Sequence, residues 1–423
     1  MFTNNLLATF SLVVLAATAV PVDESWLQPR DSEVHELFYK RAPNPSDSNF
    51  ASNYPAPGSS PPTDSLPQAW LDKLKSITLP DIKPSNPNNG YPTYADGETP
   101  QDQHICSFTY ECTTDEDLYN PPSGTFALSF DDGPTNVSPD LYDYLASNNI
   151  STAVTHFMIG GNIVYDPFGM QAAAKAGGHL AVHTWSHQYT TTLSNEQVLG
   201  ELGWTMQIIS DLNGGRIPKY WRPPYGDVDN RVRAIAKGVF GLETVVWNTD
   251  SSDWAIGGNP QYTHDSVVSQ VNQWLSGSKD KGLLLLEHES KDTTVAVFKA
   301  ILPSIRSNGW TIKNVADAFH MDWYVNAGKT NTEAITTMSV GASTFAVTNS
   351  TSQQSSTSAS ASTTGSASTT SSASQAPSST STTAATAAAA VSSGSGSSSS
   401  ASSTLLLPGY AMAGLGFLAA LFV

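Results

Sequence analysis

Two adjacent carboxylates, Asp131 and Asp132, end an apolar run that is typical of a buried strand. Like charges this close repel each other, and burial adds the cost of removing both from water, so a cation or a catalytic task commonly explains such a pair. The Gly133-Pro134 step that follows is equally compatible with an ordinary turn. The pair alone therefore leaves catalysis, metal binding and a turn open.

Two histidines, His183 and His187, follow another short apolar run, His179–Val182. Imidazoles four residues apart lie on one face if the loop turns helically, so both can then face one ion. One carboxylate and two imidazoles make three protein ligands and leave a position for water, which is the arrangement of a catalytic zinc site. Two solvated surface histidines are the plainer alternative.

Three further apolar runs also end in reactive side chains. Arg222 precedes two prolines that fix the direction of the loop, Asp253 follows the run Glu243–Asn248, and His288 ends the run Gly282–Glu287. Taken singly, these residues are compatible with a structural ion pair, a helix cap and an exposed strand end. Taken together, the successive strand ends converge on one face if the strands form a parallel barrel, and active sites lie on that face.

These segments resemble the ordered motifs of the polysaccharide deacetylase family, the NodB-homology carbohydrate esterases that include the fungal chitin deacetylases. The segments are Ser129–Pro134, His183–His187, Arg222–Gly226, Asp250–Trp254 and Leu286–His288. The similarity covers about residues 124–317, and Ser129 stands where the family usually has threonine. The resemblance implies an α/β fold, a distorted (β/α) barrel with fewer than eight regular units. The alternation of strands and helices alone also allows an open doubly wound sheet.

The resemblance also implies a role for each residue of the site. Asp131 is the implied general base, oriented by Arg222, and His288 is the implied general acid, tuned by Asp253. The implied metal ligands are Asp132, His183 and His187. The implied substrate contacts are the backbone N–H of Tyr225, Trp254 in the groove and Leu286 at the acetyl pocket. The implied cofactor is a divalent metal, Zn²⁺ foremost and Co²⁺ as the alternative. Zinc can lower the pKa of its water from 15.7 to about 7, which supplies a nucleophile for an unreactive amide.

The implied reaction is metal-dependent hydrolysis of N-acetyl groups in chitin polymer or oligomers of the cell wall, which gives chitosan and acetate. Two alternatives stay open: an O-acetyl esterase acting on xylan or another acetylated glycan, and a non-catalytic wall mannoprotein that binds chitin. The formal net charge of −17 and the pI of about 4.7 argue against nucleic acid as a partner.

Both ends of the chain predict secretion and surface attachment. Residues 1–19 have the apolar stretch and A-x-A ending of a signal peptide. Residues 323–404 form a Ser/Thr-rich linker, which predicts a disordered, O-glycosylated stalk. The apolar tail 405–423 predicts a GPI-attachment signal, with a single transmembrane helix as the alternative. The expected location is the cell wall and the outer face of the plasma membrane, with membrane contact only through the anchor. The expected attachment residue lies at about Ser393, Gly394, Ser395 or Gly396.

A Pro/Ser-rich N-terminal region, residues 20–105, precedes a catalytic domain predicted at 106–322. Lys40-Arg41 is either a dibasic processing site, which would make 20–41 a pro-peptide, or a plain charged pair. The two cysteines, Cys106 and Cys112, are expected to pair in an oxidising compartment, with two free thiols as the alternative. N-glycosylation sequons begin at Asn136, Asn149 and Asn349.

Two local patterns make further predictions. Ser194–Gln197 is typical of a capping box and predicts a helix that ends at Asn213-Gly214, with four apolar side chains on one stripe: Val198, Leu202, Met206 and Ile209. Tryptophans in the motif loops, Trp185, Trp221 and Trp254, suit stacking on sugar rings, although core packing is favoured for Trp221.

Overall fold

The structure is a computed structural model, and it describes residues 42–88, 90–95 and 97–342. The predicted signal peptide, pro-peptide, attachment site and apolar tail lie outside these residues, as do Asn349 and the stalk beyond residue 342. Within the described ranges, none of the helices combines the length and the apolar composition needed to cross a membrane.

A ring of short parallel strands forms the centre of the fold. The described strands are β1 (Thr125–Ala127), β2 (Ser129–Gly133), β3 (Thr155–Met158), β4 (His179–Val182), β5 (Tyr220–Trp221), β6 (Glu243–Thr244), β7 (Thr249–Asp250), β8 (Leu285–Leu286) and β9 (Thr311–Lys313). Strands β2 to β6 form one parallel sheet in chain order, β7 pairs with β8, and β1 pairs with β9.

Parallel bridges at β8 close this sheet on itself. Asp131 in β2 pairs with His288, and Phe126 in β1 pairs with Leu283. The N–H of Asp131 donates to the carbonyl of Glu287 at 3.0 Å. On its other side, β8 pairs with β7, the strand that follows β6 in the chain. The predicted distorted (β/α) barrel is therefore confirmed, and the open doubly wound alternative is wrong for this chain.

Helices follow most of the strands and cover the barrel. They are α1 (Gln68–Ser76), α2 (Ser138–Ser147), α3 (Gly160–Tyr165), α4 (Pro167–Lys175), α5 (Asn195–Leu212), α6 (Asn230–Phe240), α7 (His264–Leu275), α8 (Asp292–Ser307) and α9 (Val315–Ala318). Helix α5 begins with the predicted capping box, in which the Ser194 hydroxyl and the Gln197 side chain each bond the other's backbone N–H. Asn213 caps its end, and all four predicted apolar side chains are buried.

The packed domain is longer at both ends than the predicted 106–322. Trp70 in α1 is 3% exposed, and its indole N–H donates to the carbonyl of Val340 at 2.8 Å. At the other end, Trp323 and Tyr324 are buried in the core that includes residues of β3 to β5. The composition of these segments conceals their packing, because the large aromatic side chains that they bury are few and far apart in the sequence.

The predicted disulfide between Cys106 and Cys112 is present. Arg233 in α6 holds this loop in place, since its guanidinium donates to the carbonyls of Cys106 at 2.5 Å and Cys112 at 3.4 Å. The same guanidinium pairs with Asp117 at 2.8 Å. The described sequon residues Asn136 and Asn149 are both exposed.

Candidate metal centre and active site

Asp132, His183 and His187 meet at the carboxyl ends of β2 and β4. Each offers one ligand atom, and these atoms all lie within 4.8 Å of one another. Asp132 Oδ1 is 3.2 Å from His187 Nε2 and 3.5 Å from His183 Nε2. The three predicted ligands are thus brought together by the fold.

The donor set fits a cation. His183 Nδ1 lies 2.9 Å from the carbonyl of Arg222 and must carry the proton of that bond, which leaves the Nε2 lone pair facing Asp132. Asp132 Oδ1 is buried and receives no hydrogen bond of acceptable geometry from the described residues. Burial raises the pKa of the Asp132 carboxyl, but the two imidazoles lower it by a larger amount, so its pKa lies well below the usual range. An ionised carboxylate that faces two imidazole nitrogens is a donor set that a divalent metal ion satisfies.

The loop between the two histidines is not the helical turn on which the sequence interpretation relied. Thr184 and His187 have φ of 63° and 59°, and Asp132 has φ of 76°. Tyr225 and Ser252, in two further motifs, have φ of 59° and 60°. Left-handed backbone costs about 1–3 kcal/mol at such residues and persists where the surroundings enforce it. The motif loops are therefore held in shape by contacts from elsewhere in the fold.

Glu201 supplies such contacts to the histidine loop. Its Oε2 accepts the backbone N–H groups of Trp185 and Ser186, each at 2.8 Å, and its Oε1 accepts the Ser186 hydroxyl at 2.5 Å. Glu201 is fully buried on α5. The sequence interpretation missed this residue, although a signal was present: a glutamate lies on the apolar stripe of α5, three residues after Val198.

The Asp131 carboxylate is held beside the metal ligands by Arg222. Arg222 Nη1 donates to Asp131 Oδ1 at 2.6 Å, and its Nη2 donates to the Ser129 hydroxyl at 2.9 Å. The guanidinium carbon lies 4.2 Å from the centre of the Phe157 ring. Asp131 Oδ2 is 3.8 Å from His183 Nε2, so one oxygen is engaged by arginine and the other faces the donor set.

His288, the bridge partner of Asp131, forms a second pair with Asp253. Asp253 Oδ1 lies 2.6 Å from His288 Nδ1, and Asp253 Oδ2 accepts the His288 backbone N–H at 2.9 Å. Burial lowers the pKa of His288, but the charge and hydrogen bond of Asp253, followed by the charges of Asp132 and Asp131, raise it to about 10. The structure therefore favours a protonated imidazole whose Nε2 is available to a substrate.

The three predicted substrate contacts differ in exposure. Tyr225 is 52% exposed and Trp254 is 37% exposed, whereas Leu286 is buried at the end of the short strand β8. Trp185, which was expected to suit sugar stacking, is fully buried, and its indole N–H donates to the carbonyl of Ala56. Trp221 is buried in the core, as favoured.

Two buried glutamates beside His288 also escaped the sequence interpretation. Burial, followed by the charge of Asp253, raises the pKa of Glu287 well above its usual range. Glu289 Oε1 lies 3.2 Å from His156 Nδ1. A Cβ at Gly133 would lie 1.8 Å from this Oε1, so a larger residue there would displace the Glu289 side chain from its place beside the metal-binding turn. A glutamate within an apolar run was the signal available in the sequence, but the sequence does not show which side of the strand that glutamate faces.

Known proteins resemble this chain in sequence. The sequence profile of the polysaccharide deacetylase family matches residues 119–243. Chitin deacetylase 3 of Cryptococcus neoformans var. neoformans serotype D is 58% identical over 342 residues, which cover 80% of this chain and 83% of that relative. The chain belongs to the polysaccharide deacetylase family. Chitin deacetylase 2 of Saccharomyces cerevisiae is 35% identical over 231 residues, which cover 54% of this chain and 68% of the relative.

A solved structure of the chitin deacetylase from the fungal pathogen Colletotrichum lindemuthianum is 24% identical, with a TM-score of 0.44, and the match covers 48% of this chain and 90% of that one. Family membership bears on the cofactor, because polysaccharide deacetylases are metal-dependent and the donor set Asp132, His183 and His187 fits a divalent ion.

Proposed function

We propose that this protein is a metal-dependent chitin deacetylase, which hydrolyses the N-acetyl groups of N-acetylglucosamine units and releases acetate and chitosan. One observation carries the proposal: the donor set of Asp132 and the two histidines lies beside a base held by Arg222, and the bridge partner of that base is a histidine held by Asp253. Relatives named chitin deacetylase, at up to 58% identity, support the same substrate.

Zn²⁺ is the proposed metal, since one carboxylate and two imidazoles with an open position are typical of catalytic zinc, and Co²⁺ is the alternative. A divalent ion at this donor set supplies a Lewis acid for the acetyl oxygen and lowers the pKa of water toward neutrality.

Asp131 is the proposed general base. Because Arg222 engages its Oδ1, the carboxylate is fixed with Oδ2 toward the site, where it can take the proton of the attacking water. The Ser129 hydroxyl fixes the other arm of the guanidinium, so the orientation of the base depends on both contacts. Serine in place of the usual threonine keeps the hydroxyl that this contact needs.

His288 is the proposed general acid. An amine is a poor leaving group, so the departing nitrogen needs a proton, and a positioned acid contributes about 10²–10⁴ in rate. Asp253 holds Nδ1, which leaves Nε2 to deliver that proton. The backbone N–H of Tyr225, in a left-handed turn beside His187, is the proposed partner of the oxyanion.

The two alternatives from the sequence are not favoured. An ester releases an alkoxide, which needs less help from an acid than an amine does. An esterase would therefore have less need of the protonated His288 that the raised pKa favours. A non-catalytic wall mannoprotein that binds chitin has no need for Asp131 beside Asp132, since two adjacent carboxylates without a cation reduce the stability of the fold.

Acetate release by the full-length purified protein tests the function. We expect acetate from N-acetylglucosamine oligomers, loss of activity with a chelator, and recovery when Zn²⁺ is added. Acetylated xylan is the comparison substrate and should be much poorer. Release from xylan alone, or none from either substrate with Zn²⁺ or Co²⁺ present, contradicts the proposal.

We further propose that the protein is a secreted, GPI-anchored glycoprotein of the cell wall and outer plasma membrane. The disulfide of Cys106 and Cys112 and the exposed sequons at Asn136 and Asn149 support an oxidising, glycosylating route. The apolar tail 405–423 supports the anchor. Phosphatidylinositol-specific phospholipase should release the protein from membranes, whereas a mature protein that retains the tail would indicate a membrane helix.

A further inference from the structure

A small turn of the N-terminal region lies outside the catalytic motifs and has no role in the chemistry above. Asn86 and Thr93 pair in antiparallel fashion, with backbone N···O distances of 2.7 and 2.9 Å. Between them, the N–H of Tyr91 donates to the carbonyl of Asn88 at 2.8 Å. We call this feature the Tyr91 turn.

The Tyr91 turn is fixed to the loop that carries the metal ligand His187. The N–H of Ser85 donates to the carbonyl of Thr191 at 2.8 Å, and the two hydroxyls lie 2.6 Å apart. Further along, a Cβ at Gly90 would lie 3.4 Å from the hydroxyl of Tyr189, which is ordinary van der Waals contact. The turn is therefore a built part of the rim beside the site.

Aromatic rings run from the metal ligand to this turn. The Tyr225 ring lies 4.7 Å from the His187 ring and stacks on Tyr189 at 4.1 Å, with an angle of 14° between the planes. The Tyr189 hydroxyl lies close to Gly90 of the turn, and Tyr91 of the turn lies edge-on to Tyr110 with ring centres 6.0 Å apart. We call Tyr225, Tyr189, Tyr91 and Tyr110 the aromatic ridge.

The exposure of the ridge is not explained by core packing. Tyr91 is 41% exposed and Tyr225 is 52% exposed, although each has a ring partner that fixes its position. Tyr110 is held in turn, since its hydroxyl donates to the carbonyl of Pro92 at 3.0 Å. Rigid aromatic rings that stay partly open present apolar area at little cost in side-chain entropy, which suits binding rather than folding.

We propose that Tyr91, supported by Tyr110, forms a subsite for a sugar ring of the same glycan chain whose acetylated unit lies at the metal centre. The C–H groups on the faces of a pyranose ring are apolar, so they can be buried against an aromatic ring. The attachment of the turn to the loop that carries His187 points to the substrate chain as the occupant. This inference rests on the proposed function and deepens it, because it makes the N-terminal region a determinant of chain-length preference.

The test compares short and long substrates with variants of Tyr91. Tyr91→Ala should leave kcat/KM unchanged on the N-acetylglucosamine dimer and lower it on the hexamer by about two- to tenfold, mostly through KM. Tyr91→Trp should restore the wild-type value because it restores an aromatic face. Phe168→Ala is the matched control, since Phe168 is 56% exposed on α4 outside the ridge, and it should change neither substrate.

An equal loss on dimer and hexamer, or no loss on the hexamer, overturns the subsite while leaving the deacetylase activity in place. Failure of the wild-type protein to release acetate from either oligomer would instead count against the proposed function. The dissociation constant of the hexamer, measured by calorimetry, then decides the subsite separately: a two- to tenfold rise in Tyr91→Ala supports it, and an unchanged constant overturns it.

Discussion

The pH dependence of the enzyme should be set by the pair of His288 and Asp253, and Asp253→Asn is the variant that tests this. Asp253 accepts two hydrogen bonds, from His288 Nδ1 at 2.6 Å and from the His288 backbone N–H at 2.9 Å. The two donors bond different oxygens of Asp253, and asparagine replaces one of these oxygens by an NH2 group, so it keeps only one of the two bonds. The variant therefore removes a buried charge and one of two hydrogen bonds while keeping the size of the side chain.

The magnitude follows from the pKa of His288. A rise from 6.5 to about 10 corresponds to about 5 kcal/mol in favour of the imidazolium form, reached although burial acts in the opposite direction. Asp253 provides the largest contributions that raise this pKa. Loss of an opposite charge at this distance lowers a pKa by about 1–3 pH units. A bound divalent cation lowers the His288 pKa in both proteins, so they are compared with the same metal.

The sign of the change is fixed by the role of an acid. His288 must be protonated to act, so activity is present below its pKa and is lost as the pH rises through it. Because Asp253→Asn lowers that pKa, the high-pH limb of the profile should move to lower pH. The profile of kcat/KM against pH on N-acetylglucosamine oligomers measures this, since it reports the groups of the free enzyme.

Asp250→Asn is the matched control for this prediction. Asp250 is a neighbouring carboxylate whose Oδ1 accepts the N–H of Ser252 at 2.7 Å, so its change removes a nearby charge and leaves the hydrogen bonds to His288 intact. We expect a smaller shift of the limb in this variant. A limb that stays in place in Asp253→Asn, or moves to higher pH, would refute the assignment of His288 as the acid held by Asp253.

Three further predictions concern the remaining parts of the site. Asp131→Asn should keep its metal content and lose about 10²–10⁴ in turnover, whereas His183→Ala should lose both; loss of metal in Asp131→Asn, measured by elemental analysis, would mean that the two aspartates exchange roles. His288→Ala should lower turnover of N-acetylglucosamine oligomers by about 10²–10⁴. It should lower turnover of an activated aryl acetate far less, because a phenolate departs without a proton. An equal loss on both substrates would show that His288 does not act as the acid for the leaving group. Glu201→Ala should weaken metal binding by about 10–100-fold, and the metal affinity of Glu201→Gln should lie between that variant and wild type. Ser186→Ala removes only one of the three bonds to Glu201, so its metal affinity should stay close to wild type. Unchanged metal affinity in Glu201→Ala would show that the histidine loop keeps its shape without this contact.

Features that depend on neighbours in sequence could be predicted from the sequence. The capping box of Ser194 and Gln197 and the apolar stripe behind it specify helix α5, because both are set by spacings of three and four residues. The pairing of Cys106 with Cys112 followed from the absence of other cysteines. The barrel and the set of site residues followed from the resemblance of five ordered motifs, each carried by a few consecutive residues.

Other features could not be predicted, because they depend on residues that are distant in sequence. The bond from Arg222 to Asp131 joins residues 91 positions apart, and the bond from Ser85 to Thr191, which places the Tyr91 turn beside the site, forms only in the folded chain. Periodicity places Glu201 on a buried stripe, but it does not reveal that the histidine loop lies opposite.

The sequence by itself determined which side chains are available for chemistry and which local elements present them. Only the tertiary structure decided how the loops of those elements turn, and which residues hold them there. The left-handed backbone at Asp132, Thr184 and His187 shows the reason. Local preference disfavours that conformation, and it is kept because packing and hydrogen bonds from other elements outweigh the local cost.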